Sequence, residues 1–140
     1  MKILVAVDGS PYTKRMLAYL AAHDEWLGDR HQYTVLHAVP AVPPRAAAVL
    51  DKEVLKSYYN DEADKVLKTL RTFFTKQRMQ AEFVHKVGAA ADVIAGIADK
   101  GKFDLLIMGS HGHSTLGNLV MGSVATKVMA HTNVPTLLVR

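Results

Sequence analysis

Five short apolar runs punctuate this chain, and the segments between them switch to helical spacing. Ile3-Leu4-Val5-Ala6-Val7 is the first run, and it predicts a strand over residues 1–8. Unbroken rather than alternating apolar character suits a parallel strand covered on both faces. Ser10 and Pro11 then read as a helix start, Ser10 as N-cap and Pro11 at the first helical position. Leu17, Leu20 and Ala21 supply that helix's core face, and Gly28 ends it. The second strand is expected over 33–39. A loop from Pro40 to Arg45 with three prolines follows, then a long helix over about 47–78. Leu55, Tyr58, Glu62, Val66, Leu70 and Phe73 advance along it at helical spacing, with Glu62 the lapse. Lys52, Lys56, Lys65, Lys68 and Arg71 read as a solvated face.

The third strand, over 81–87, is less apolar and suits a sheet edge. Val93, Ile94 and Ile97 mark a short helix closed by Lys100 and Gly101. A fourth strand follows over 103–108. The last helix is expected over about 116–131 with Leu116, Val120, Val124 and Val128 on one stripe, and Pro135 to Arg140 forms a closing strand. Strand alternating with helix in this way predicts one α/β domain over residues 1–140, a doubly wound parallel sheet with helices on both faces. Ligands on such sheets sit beyond the carboxyl ends of the strands, where the winding reverses.

One segment stands at such an end. Leu105-Leu106-Ile107-Met108 leads into Gly109-Ser110-His111-Gly112, then nine residues, then Gly122-Ser123. Five of the nine glycines lie between Gly101 and Gly122, so the segment is relieved of side chains. Strand, glycine-rich turn and helix start together favour an anion, because the backbone can approach it and the helix N-terminus offers unpaired N–H groups. Turn and packing glycines would produce the same letters, and Ser123 could be an ordinary N-cap. That role and phosphate binding share one geometry.

Composition narrows the chemistry. The chain has no cysteine, which excludes disulfides, thiolate metal sites and cysteine nucleophiles. No apolar run approaches the ~20 residues of a membrane span. Residues 1–8 are too short for a signal peptide, so a cytoplasmic protein is expected. A net charge of +4 fits an anionic ligand but not a nucleic-acid stripe. No serine stands in a nucleophile elbow, no P-loop lysine is present, and no residue stands out as a base to activate water. His111 and His113 are weak metal ligands and more suited to brushing phosphate. Asp8 either caps the first helix or accepts hydrogen bonds from a nucleoside. His37 reads as a core or rim histidine, and the loop after strand two either connects or covers the cleft, with Arg45 its one cation.

Taken together, Asp8-Gly9-Ser10, Met108-Gly109-Ser110-His111-Gly112, the nine-residue spacer, Gly122-Ser123-Val124 and the ending Val134-Pro135-Thr136-Leu137-Leu138-Val139 resemble the universal stress protein family over essentially the whole chain. The spacing is that of its ATP-binding branch. The resemblance implies strand order 3-2-1-4-5 and a cleft between strands one and four. It implies that Asp8 and the end of strand two near Val39 flank adenine and ribose. Gly109 would line the ribose, and Gly112, Gly122, Ser123 and Val124 would surround the phosphates, with Ala6, Val7, Met108 and His111 also expected to bind the nucleotide. ATP is the implied ligand, with Mg²⁺ held by its phosphates near Ser123 and no metal site made by protein alone. A homodimer through Pro135 to Arg140 is implied as well. Ala125 stands where relatives often carry Thr or Ser, and the segment from His111 to Met121 lacks their Arg or Lys. The sequence reading is a nucleotide-dependent regulator of a stress response with little turnover. A slow ATPase or phosphotransferase, and a dimeric interaction module with a vestigial pocket, stay open beside it.

Overall fold

The computed structural model describes residues 1–114 and 120–140. Five parallel strands form one sheet: β1 (Lys2–Val7), β2 (Gln32–Val39), β3 (Ala81–Val87), β4 (Leu105–Gly109) and β5 (Thr136–Val139), in the order β3-β2-β1-β4-β5. The winding runs β1 to β2 to β3 in one direction and returns through β4 and β5 on the other side of β1. It therefore reverses between β1 and β4, and the strand order is the expected one.

The apolar runs are continuous because both faces are covered. Ile3, Val5, Val7, Val35, Val39 and Ile107 point to one face, against α1 (Pro11–Ala22), α2 (Asp24–Leu27) and α4 (Lys52–Lys76). Leu4, Ala6, Leu36, Leu106 and Met108 point to the other, against α5 (Ala90–Lys100) and α6 (Ser123–His131). Full burial of side chains such as Phe74, Leu67 and Leu70 contributes ~1.5–3 kcal/mol each, and this fixes the long α4 to the sheet.

Several helices depart from the sequence reading. The first helix stops at Ala22, where His23 leaves helical geometry and its Nδ1 lies 2.8 Å from the Tyr19 carbonyl. A separate short α2 then buries Leu27 before Gly28. The hydroxyl of Tyr33 donates to the carbonyls of Leu27 (2.5 Å) and Gly28 (2.9 Å), tying this turn to β2. Burial, helped by the charge of Asp29, pushes the Tyr33 phenol up to about 12, so it stays a donor at neutral pH. Arg45 lies in a short α3 (Pro44–Ala48), so the exposed loop is shorter than expected. Helix α4 starts late, at Asp51, whose carboxylate accepts from the Glu53 N–H. Its buried residues are Ala63, Leu67, Leu70 and Phe74, while Tyr58 is 45% exposed. The core face is turned by about one residue, and Glu62 sits outside it, paired with Lys65 at 2.7 Å.

In the last helix, Leu116 lies outside the described residues. Val128 is buried as expected, but Val120 is 77% exposed and Val124 is 36% exposed, so α6 packs through Val128 and Ala125. No helix among the described residues is long and apolar enough to cross a membrane.

Candidate nucleotide site

The carboxyl ends of β1, β2 and β4 open into a cavity of about 260 Å³ on the α5/α6 face of the sheet. Its space comes from small residues. Ala6 and Ala38 stand on the strands, Ala90 and Ala125 on the helices, and Gly109, Gly112 and Gly122 line the turns. Ile94 and Met108 supply apolar wall, and Thr13 and Ser114 add hydroxyls.

Asp8 follows β1 and is held by its own turn. Its Oδ1 accepts from the Ser10 N–H (2.9 Å) and from the Thr13 hydroxyl (3.1 Å). The Thr13 oxygen in turn accepts from the N–H groups of Asp8 and Gly9, each at 3.2 Å. Gly9 takes a φ of 76°, a left-handed conformation that costs glycine nothing. Asp8 therefore braces the β1–α1 turn, while Ser10 at the N-cap makes no side-chain cap bond and its buried hydroxyl has no partner among the described residues. The second carboxylate oxygen faces Gly112, where an added Cβ would stand 2.8 Å from it. Turn support and ligand acceptor are thus compatible roles, one for each oxygen.

Helix α6 aims its N-terminus at the same space. The first N–H groups of a helix have no intrahelical partner, and here the first helical bond runs from Thr126 to the Gly122 carbonyl. No side chain among the described residues caps the helix. Ser123, Val124 and Ala125 all line the cavity, and their N–H groups have no partner among the described residues. The Gly122 N–H is committed, donating to the Ser110 carbonyl at 2.7 Å. A Cβ on Gly122 would lie 3.1 Å from His111 Cα and 3.2 Å from the Ser110 oxygen, so glycine lets the helix start press against this turn.

Two histidines stand at the mouth. His113 Nε2 is 2.8 Å from the Asp8 carbonyl, and His111 Nδ1 is 2.8 Å from Ser110 Oγ. The lining holds one carboxylate and no lysine or arginine among the described residues. Those residues also contain no cluster of three or more His, Asp or Glu able to hold a metal. Chemically the site offers an acceptor at one end and backbone donors at the other, across an apolar floor.

The structure brings Ala6, Val7, Asp8, Met108, Gly109, His111, Gly112, Gly122, Ser123 and Val124 to this one cavity. Val39 is the exception. Strand residues alternate between faces, so Val39 is buried on the α1/α4 side and Ala38 forms the wall. His37 is buried, with Nδ1 2.8 Å from the Val7 carbonyl, which makes it a rim support. Arg45 is not among the lining residues, and the Tyr59 hydroxyl, accepting from the Val42 N–H, pins the loop after β2 to α4. Sequence reasoning missed Ala38, Ala90 and Ile94 as wall. Thr13 was findable, four residues beyond Gly9 on the first turn of α1.

Comparison with known proteins agrees with this architecture. The model of the universal stress protein family matches residues 1–140. A universal stress protein from Thermus aquaticus is 34% identical over 138 residues, covering 99% of this chain and 97% of that protein. A universal stress protein from Archaeoglobus fulgidus, solved in complex with dAMP, superposes with a TM-score of 0.69 at 22% identity, over 100% of this chain and 98% of the other. A family member from Arabidopsis thaliana, solved with AMP bound, gives 0.70 at 17% identity, over 99% and 90%.

Proposed function

This chain belongs to the universal stress protein family, and on that premise we propose that it is an ATP-binding regulator of a stress response with little or no turnover. The observation that carries the reading is the row of N–H groups at Ser123, Val124 and Ala125, which have no partner among the described residues and open onto a cavity kept clear by Gly109, Gly112 and Gly122. Backbone donors at a helix start suit phosphate oxygens. The AMP and dAMP complexes of family members support an adenine nucleotide. In this reading Asp8 Oδ2 and the Ala6–Ala38 floor take the nucleoside, Gly109 lies under the ribose, and His111, Gly112, Ser123 and Val124 surround the phosphates. Any Mg²⁺ is held by the phosphates near Ser123, because the described residues provide no ligand cluster.

Low turnover follows from what the site contains. Among the described residues, no lysine or arginine lines it to stabilise charge in transfer, and no carboxylate besides Asp8 stands in it as a base. ATP should therefore bind saturably by calorimetry, while phosphate release from a contaminant-free preparation stays below ~1 s⁻¹, the lower end for enzymes. Faster release would favour an ATPase. Absence of saturable binding would favour an interaction module with an empty pocket.

The proposal includes a homodimer through β5 and a cytoplasmic setting. β5 is an edge strand, and Leu137 and Leu138 are only half buried. The carbonyls of Pro135 and Val139 accept from β4, at Leu106 and Ser110. Backbone groups alternate sides along a strand, so the Leu138 N–H points to the open edge. Leu138→Pro thus removes an outward donor while sparing the β4 ladder. Sedimentation should give a dimer for the native chain and a monomer for this variant. A native monomer at tens of micromolar would remove the β5 interface.

A further inference from the structure

We infer that His111 and His113 supply the positive charge at the phosphate end of this cleft, so that ATP binds with uptake of protons and adenosine does not. The inference rests on the nucleotide site proposed above and concerns its regulation by pH.

Fixed cations are missing from this end of the site. The sequence has no lysine or arginine between Lys102 and Lys127, so neither the turn after β4 nor the start of α6 brings one. Among the described residues the lining adds none from β1, β2 or α5 either. Helix N-terminal donors carry only partial charge. A triphosphate placed among them is under-neutralised unless something titrates. Imidazole is the side chain whose ordinary titration falls between about pH 5 and 8, and both histidines line the cavity.

The hydrogen bond of His113 leaves room for the extra proton. A carbonyl only accepts, so His113 Nε2 carries hydrogen toward the Asp8 oxygen. The added proton enters at Nδ1 and that bond survives. His111 Nδ1 faces a hydroxyl, which can donate to the neutral ring and turn to accept from the protonated one. The charged groups facing these rings are few. Asp8 approaches from the end of β1. From α1, the Tyr12 ring lies 5.0 Å from His111 and carries the Arg15 guanidinium 4.8 Å from its own centre. Ser110 and Ser123 contribute only hydroxyls. Residues 115–119 are Thr, Leu, Gly, Asn and Leu, none of them titratable. Bound phosphate adds the larger change in charge.

The test is calorimetry of ATP and adenosine at about pH 6 and pH 8, in buffers of different ionisation enthalpy, on the native chain and on a His111→Asn, His113→Asn double variant. A one-unit rise in a histidine's pKa on binding corresponds to about tenfold tighter binding on the acid side. The native chain should take up protons with ATP and bind it about tenfold or more tighter at the lower pH, with adenosine flat. ATP's terminal phosphate titrates in the same range, but it is common to both proteins and cancels in their difference. Equal pH dependence in native chain and double variant, or equal dependence for both ligands, overturns the inference while leaving the nucleotide site standing. No binding of either ligand at any pH removes both. Should the double variant not fold or bind, NMR titration of the two imidazoles in the native chain decides. An upward shift with ATP is expected, and no shift overturns the inference.

Discussion

Gly122→Val should reduce ATP affinity by more than about a hundredfold while the sheet remains folded. The backbone at Gly122 is ordinary, with φ −70° and ψ 166°, so any residue could adopt it. The constraint is space. A Cβ would already stand 3.1 Å from His111 Cα and 3.2 Å from the Ser110 carbonyl oxygen, and neither backbone atom can turn aside as a side chain would. The branched methyls of valine add to the crowding. The start of α6 must move off the turn, breaking the bond from the Gly122 N–H to Ser110 and re-aiming the N–H groups of Ser123, Val124 and Ala125. Hydrogen bonds to a charged partner contribute about 1.5–3 kcal/mol each, and 1.4 kcal/mol is tenfold in affinity. Loss of two therefore exceeds a hundredfold. Gly122→Ala should fall between native and valine. Equilibrium dialysis with labelled ATP, with circular dichroism as the folding control, measures this. Native affinity in the valine variant would remove the phosphate cradle.

Asp8→Ala should act twice. Oδ1 holds the β1–α1 turn through Ser10 and Thr13, so its loss costs on the order of 1 kcal/mol of stability, as loss of an intramolecular hydrogen bond does. Oδ2 stands beside Gly112 on the cavity wall, so ATP affinity should drop about tenfold to a hundredfold through a lost charged acceptor. Inorganic triphosphate, which does not reach the nucleoside end, should lose little. Asp8→Asn separates the two effects. Its amide oxygen keeps the turn bonds and restores the melting temperature, but its NH₂ cannot accept from a ribose hydroxyl, so nucleotide affinity stays low. Equal loss of ATP and triphosphate in both variants would instead put Asp8 beside a metal held by the phosphates.

The strands were legible because a doubly covered sheet writes itself as unbroken apolar runs. β1 from Ile3 and β4 from Leu105 need no periodicity to be seen. The strand order and the position of the cleft came from the resemblance, and the sheet has that order. Helix phase was harder to read. In α4 the apolar residues come in adjacent pairs, Tyr58-Tyr59, Val66-Leu67 and Phe73-Phe74, so two faces one residue apart fit the same spacing. Packing against β2 and β3 selects the second member of each pair as the more buried. In α6, the valine stripe was right at Val128, which is fully buried, but Ala125, only 2% exposed, takes the place expected of Val124, because a helix close to the sheet needs small residues in between. The break at His23 had no glycine or proline to announce it.

The site divides in the same way. Glycines and Asp8 carry a chemical signature and were read from the sequence. Ala38, Ala90 and Ile94 shape the cavity by size alone, and alanine in a strand or helix announces nothing. Val39 was named because the end of β2 was right, but the face was set by register, with Val39 opposite Val87 and Ala38 opposite Lys86. Two hydrogen bonds changed the roles within the site. The Gly122 N–H is spent on Ser110, so Gly122 acts through closeness, and Oδ1 of Asp8 is spent on its own turn, so only Oδ2 is free for a ligand.

A crystal structure of the protein grown with ATP tests the central claim most directly. The account predicts phosphate oxygens about 2.7–3.2 Å from the N–H groups of Ser123 and Val124, with the nucleoside between Asp8 and Ala38. A nucleotide bound with its phosphates away from the start of α6, or a cavity left empty at saturating ATP, would contradict it.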